Sequence, residues 1–145
     1  MSVITRFKEI QAWQTARQLT NFVYNLTGQS VLAKDFGLKD QIRRAAVSVM
    51  SNIAEGYESW TDTQFINYLG TARASAGEVR AQLYIALDQK YIAPEQFQDA
   101  YELADKASRQ IANFIKYLEA NPRLRRVGEE SAEYHIEARN ATFDI

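Results

Sequence analysis

Only two prolines occur in the chain, Pro94 and Pro122, and both fall between segments of helical periodicity. Proline removes a backbone donor and clashes with the preceding turn, so a chain this poor in it leaves long runs free to be helical. Turn-forming clusters stand at Thr27-Gly28-Gln29-Ser30, Glu58-Ser59-Trp60-Thr61-Asp62 and Lys90-Tyr91-Ile92-Ala93-Pro94. Between them, apolar residues recur at helical spacing. The pattern predicts four helices over about 7–27, 36–58, 62–91 and 94–120. Phe7, Ile10, Trp13, Ala16, Thr20 and Val23 mark the inner side of the first. Leu38, Ile42, Ala45, Ala46, Val49 and Ile53 mark that of the second. The third opens on Thr61-Asp62-Thr63-Gln64, a capping-box pattern, and carries Phe65, Leu69, Ala72, Ala76, Val79, Leu83 and Leu87 inward. The fourth starts at Pro94, tolerated in a first helical turn, with Tyr101, Ala104, Ile111, Ile115 and Leu118 on its buried side.

Four such helices with short loops predict an all-α fold: an antiparallel up-down-up-down four-helix bundle over residues 1–121. Residues 122–145 differ in character, with Arg123, Arg125 and Arg126 followed by four glutamates up to Glu137, and are expected to form a mobile or partner-docked tail. The 145 residues suffice for one core without staples, and the absence of cysteine removes disulfides and thiolate metal sites. No apolar run approaches the roughly 18 residues of a membrane span, and the N-terminus lacks the pattern of a secretory signal. A soluble, cytoplasmic protein is the expectation. A formal net charge of -1 supplies no global pull toward nucleic acid, so phosphate binding needs a local basic patch.

A bundle helix needs one apolar stripe, and the third helix has a second. At about 100° per residue, Gly70, Ala74, Gly77 and Ala81 form a ridge well away from the Phe65–Leu83 stripe. Glycine in a helix costs up to ~1 kcal/mol relative to alanine, so two on one ridge suggest either close approach of another backbone or a helix enclosed within its own subunit. Val47, Met50 and Ala54 make a second strip on helix two, and Phe97, Leu103, Phe114 and Tyr117 lie off the main stripe of helix four. Leaving such faces open would create patches that attract partners, so a homo-oligomer is expected, packed through Gly70, Ala74, Gly77, Ala81, Val47 and Met50.

Polar stripes fill the remaining sectors: Gln41, Arg44, Ser48, Asn52 and Glu55 on helix two, and Thr71, Ser75, Glu78 and Gln82 on helix three. A hairpin turning near Ser59-Trp60 pairs positions whose numbers sum to about 120, which sets Ser48 near Thr71, Asn52 near Asn67 and Arg44 level with Ser75 to Glu78. The two stripes are expected to form a structural seam, with Arg44–Glu78 as its charge-assisted bond. The alternative is a plain solvated face. Glu55 and Glu78 are the candidate acid–base carboxylates, but they lie several turns apart with no nucleophile between them. His135, the one histidine, stands in the tail. No enzyme activity, cofactor or metal is expected.

Trp13-Gln14-Thr15-Ala16, the run Gln41-Ile42-Arg43-Arg44-Ala45-Ala46-Val47-Ser48-Val49-Met50-Ser51-Asn52-Ile53-Ala54-Glu55-Gly56-Tyr57, and Ala72-Arg73-Ala74-Ser75-Ala76-Gly77-Glu78-Val79 together resemble the signature of the four-helix bundle proteins also called 23S rRNA intervening-sequence proteins. The resemblance spans residues 7 to 121. It implies a ring-like homo-oligomer, typically a pentamer. It also implies kinship with accessory variability determinant proteins of diversity-generating retroelements, whose basic barrel binds nucleic acid and a reverse transcriptase. Arg17, Arg43, Arg73 and Arg80 are the residues that can converge on nucleic acid in such an assembly. The chain departs from those basic relatives in being slightly acidic, with Glu58 after Gly-Tyr and with Glu95, Asp99, Glu102 and Asp105 on helix four. Two functions follow: a nucleic-acid accessory factor partnered with structured RNA or a nucleic-acid-processing protein, or a protein-interaction scaffold without nucleic-acid binding.

Overall fold

The computed structural model describes residues 4–29 and 31–121. Four α-helices make up most of it, and there is no strand among the described residues. They are α1 (Gln11–Thr27), α2 (Phe36–Glu58), α3 (Asp62–Asp88) and α4 (Pro94–Ala120). Short 3-10 turns at Phe7–Glu9 and Leu32–Lys34 precede α1 and α2. The tail 122–145, with His135, lies outside the described residues.

Local chemistry explains where the helices begin. The Asp35 carboxylate accepts from the Leu38 N–H at 3.1 Å and starts α2. At α3 the Thr61 hydroxyl accepts from the Gln64 N–H at 3.1 Å, while Gln64 Oε1 accepts from the N–H groups of Trp60 at 2.9 Å and Thr61 at 3.3 Å. This is the predicted capping box, with one further donor satisfied. Pro94 opens α4, and Gln96 Oε1 accepts from the Ala93 N–H at 2.8 Å.

Two boundaries differ from the sequence-based expectation. The continuous part of α1 begins at Gln11 rather than residue 7, because Ile10 is extended and drops its side chain fully into the core. α3 ends at Asp88 rather than 91, because Lys90 turns left-handed at φ 61°. The Lys90 N–H then donates to the Leu87 carbonyl and the Tyr91 N–H to the Ala86 carbonyl, both at 2.9 Å, which is a Schellman closure.

Each helix packs on two others, in the cyclic order α1, α2, α3, α4. Between α1 and α2, the Thr20 hydroxyl donates to the Ala46 carbonyl and Arg43 Nε to the Thr27 hydroxyl. Below them the Tyr57 hydroxyl reaches the Ile4 carbonyl at 3.2 Å. Between α3 and α4, Phe65 meets Phe114 edge-on at 5.1 Å, and Tyr84 meets Phe97 at 4.9 Å.

The core stripes of α2 are buried as expected, as are Phe65 through Leu83 on α3. Phe114 requires a correction: it is fully buried rather than off the main stripe. Its place three residues after Ile111 and four before Leu118 puts it inside the helical seam. Tyr117 is half-buried against the same cluster, and Phe97 and Leu103 against the second cluster of the core. The surplus apolar residues of α4 are therefore largely consumed within the subunit.

Candidate functional site on the second and third helices

The outward side of α2 separates two clefts. One, about 280 Å³, lies between α2 and α3 and is lined by Gln41, Arg44, Ala45, Ser48, Ser75, Glu78 and Gln82. The other, about 600 Å³, lies toward α1, with Tyr24, Asp40, Arg43, Val47, Ser51, Asn52 and Glu55 on its walls. Arg44 and Ser48 belong to both. The polar stripe of α2 is thus divided, and Glu55 and Glu78 face different clefts.

The α2–α3 seam is held by hydroxyls. Asn52 Nδ2 donates to the Ser48 carbonyl at 2.8 Å and to Ser48 Oγ at 2.9 Å. Ser48 Oγ and Ser75 Oγ lie 2.8 Å apart, a hydrogen bond in which either hydroxyl can donate. Ser48 meets Ser75 rather than Thr71, while Arg44 lines one cleft with Ser75 and Glu78. No ion pair joins Arg44 to Glu78 among the described residues. Both are exposed, where such a pair gains only ~0–1 kcal/mol against the entropy of fixing two long side chains. Deeper in the same cleft, Gln82 is only 9% exposed and its Oε1 has no hydrogen-bond partner.

The four arginines do not share one surface within the subunit. Arg43 is engaged internally: its Nε donates to Thr27 Oγ1 at 2.7 Å, its Nη2 to the Tyr24 carbonyl at 3.3 Å, and it lies 4.4 Å from the Tyr24 ring centre. There it neutralises the carbonyl end of α1, whose last turn has no basic residue. Arg80 pairs with Asp105 at 3.4 Å. Arg73 is exposed, and Arg17 lies over the Trp13 ring at 5.7 Å. Sequence reasoning passed over Arg6 and Lys8, which line one cleft with Trp13 and Arg17. Their positive charges before α1 were a legible signal; the 3-10 turn that folds them toward Trp13 was not.

The second ridge of α3 is open. Gly70, Ala74 and Ala81 are exposed and Gly77 is half-buried. A Cβ on Gly70 would meet nothing within 4 Å, and one on Gly77 would meet only the Arg80 guanidinium, at 3.7 Å. Tyr84 and Ile85, 49% and 48% exposed, continue the ridge toward the end of the helix. On α2, Val47 is exposed, whereas Met50 is half-buried against the core. Among the described residues only the core side of α3 is covered, so they do not enclose it.

The sequence model of a family described as 23S rRNA-intervening sequence protein matches residues 8–113. Comparison with curated proteins finds no match. Among solved structures, the chain is similar to a protein of unknown function from the S23 ribosomal protein family of Bacteroides thetaiotaomicron. The two are 23% identical, with a TM-score of 0.68 over 72% of this chain and 95% of that one. At that identity the likeness shows the shared fold alone.

Proposed function

From the premise that the chain belongs to the family of 23S rRNA-intervening sequence proteins, we propose that it is a non-enzymatic, antiparallel up-down-up-down bundle that assembles with copies of itself and serves as a nucleic-acid accessory factor in the cytoplasm. The observation that carries this reading is the open ridge of α3. Gly70, Ala74 and Ala81 stand exposed on one face, followed by the exposed side chains of Tyr84 and Ile85. A smooth track of this kind lets a second backbone approach closely, and association would cover the apolar end that a lone subunit leaves in water. The ring is expected to be five-membered, from the resemblance.

Support for nucleic acid as the partner comes from α1, which carries no carboxylate from Gln11 to Thr27 and has one arginine among outward-facing amides. A second reading, a protein-interaction scaffold without nucleic-acid binding, is favoured by Arg43 and Arg80 being engaged inside the subunit and by the acidic outer side of α4.

Light scattering and filter retention test both parts. The expected mass is a multiple of 16.6 kDa, five-fold for the ring, and structured RNA is retained at about 50 mM salt and released as salt rises. A clean monomer would refute the assembly. Absence of retention at low salt, where electrostatic binding is strongest, would leave the scaffold.

A further inference from the structure

The cleft around Trp13 differs from the rest of the surface in its chemistry. It is an open cleft of about 600 Å³ that gathers three cations, Arg6, Lys8 and Arg17, around one half-buried indole. Trp13 is wedged edge-on against Phe7 at 5.2 Å and is overlain by the Arg17 guanidinium. The Gln14 amide is anchored to the Lys8 carbonyl at 3.0 Å, which holds the 3-10 turn and its lysine beside the helix. Gln18 and Asn21 continue the wall for about 12 Å beyond Trp13 at the helical rise of 1.5 Å per residue.

The single carboxylate of this cleft is held beside Arg6 and Thr5, so the lining keeps a net positive charge. Glu9 accepts from the Thr5 N–H at 2.8 Å and from the Thr5 hydroxyl at 3.0 Å, with Arg6 Nε 3.8 Å away. The Thr5 amide and then its hydroxyl, helped by Arg6, hold the Glu9 carboxyl below its ordinary range. It stays ionised and tied down as a local clip. Ile10 provides no side-chain cap, so the positive end of the α1 dipole opens at the same place.

We propose that the Trp13 cleft is the contact site for an unpaired segment of RNA. Arg6, Lys8 and Arg17 receive its phosphates, a base stacks on Trp13, and Gln18 and Asn21 meet base edges. The inference rests on the nucleic-acid reading above and assigns it a place. An acidic peptide would satisfy the cations but leave the indole without a flat partner for its face. Bases offer both a π-face and an edge of donors and acceptors, as single-strand binding surfaces require. The net charge of -1 is no obstacle, because phosphate contacts act locally, within about 10 Å at ordinary ionic strength.

The experiment uses the full chain carrying Trp60→Phe, which leaves Trp13 as the sole tryptophan. A hairpin RNA with an unpaired loop is titrated at several salt concentrations, with filter retention and Trp13 emission read in parallel. Quenching is expected at about 50 mM salt. Three phosphate contacts to a single strand give a log–log salt slope of roughly −2, or about a fifteen-fold loss of affinity between 50 and 200 mM. Arg17→Ala and Lys8→Ala each lower the slope by about 0.7, while Lys106→Ala on α4 leaves it unchanged. Retention without quenching, or with wild-type slopes in Arg17→Ala and Lys8→Ala, overturns this site and leaves RNA binding standing. Equal quenching by polyglutamate or by a fully paired duplex overturns the choice of unpaired RNA. No retention at any salt removes both the site and the nucleic-acid reading.

Discussion

Lys90 occupies a position that a glycine would hold at less cost. Its φ of 61° crowds the Cβ against the backbone, a conformation disfavoured by roughly 1–2 kcal/mol for a residue with a side chain. The Schellman bonds to Leu87 and Ala86 hold it there and turn the chain toward α4. Lys90→Gly is expected to stabilise the subunit by about 0.5–1 kcal/mol, part of the relief being lost to a more flexible unfolded chain. A urea midpoint that rises with unchanged slope would show it; a midpoint that falls would mean that the lysine contributes an interaction beyond filling the turn. Arg43 makes the complementary point. As a sequence element it reads as a free cation, yet Thr27 and Tyr24 absorb it into the closure of α1.

At the scale of elements, the α2–α3 pair is set by one close approach and one polar contact. A Cβ on Gly56 would stand 2.8 Å from Phe65 Cδ1 and 2.9 Å from Tyr68 Cβ, so the Glu-Gly-Tyr run needs its glycine where the two helices meet. About two turns up α2, the Ser48–Ser75 bond fixes the register. A double-mutant cycle with Ser48→Ala and Ser75→Ala should return a coupling of about 0.5–1.5 kcal/mol, the usual worth of a partly buried hydrogen bond. Coupling near zero would mean that packing at Gly56 alone positions the helices. The expected Arg44–Glu78 link illustrates the limit of charge complementarity as a guide. The two residues do line one cleft, but on an exposed surface water competes successfully for both.

For the whole molecule, the contrast between Gly56 and Gly70 is informative. Gly56 is required by the subunit, whereas Gly70 has open space where a side chain would go. Gly70→Ala should therefore stabilise the dissociated subunit by up to ~1 kcal/mol through helix propensity. The same methyl group would weaken assembly if a second backbone lies on the ridge. Urea melts at concentrations where the subunit is dissociated, set against light scattering at higher concentration, separate the two effects. A stabilised subunit with undiminished assembled mass would remove the α3 ridge from the interface.

The sequence by itself determined the number of helices, the core stripes of α2 and α3, and the starts of α3 and α4. These rest on periodicity and on capping partners within four residues of each other, and such short-range chemistry is written in consecutive positions. The core stripe of α4 is only partly legible, since Phe114 adjoins both the Ile111–Leu118 stripe and the surplus apolar residues beside it. Tertiary structure alone decided the end of α3, the Ser48–Ser75 register, and which arginines are engaged internally. It also decided that Arg6, Lys8 and Arg17 gather around Trp13. Each of these depends on groups from separate segments meeting in space, where a shift of one helical turn changes every partner. No local pattern carries that information.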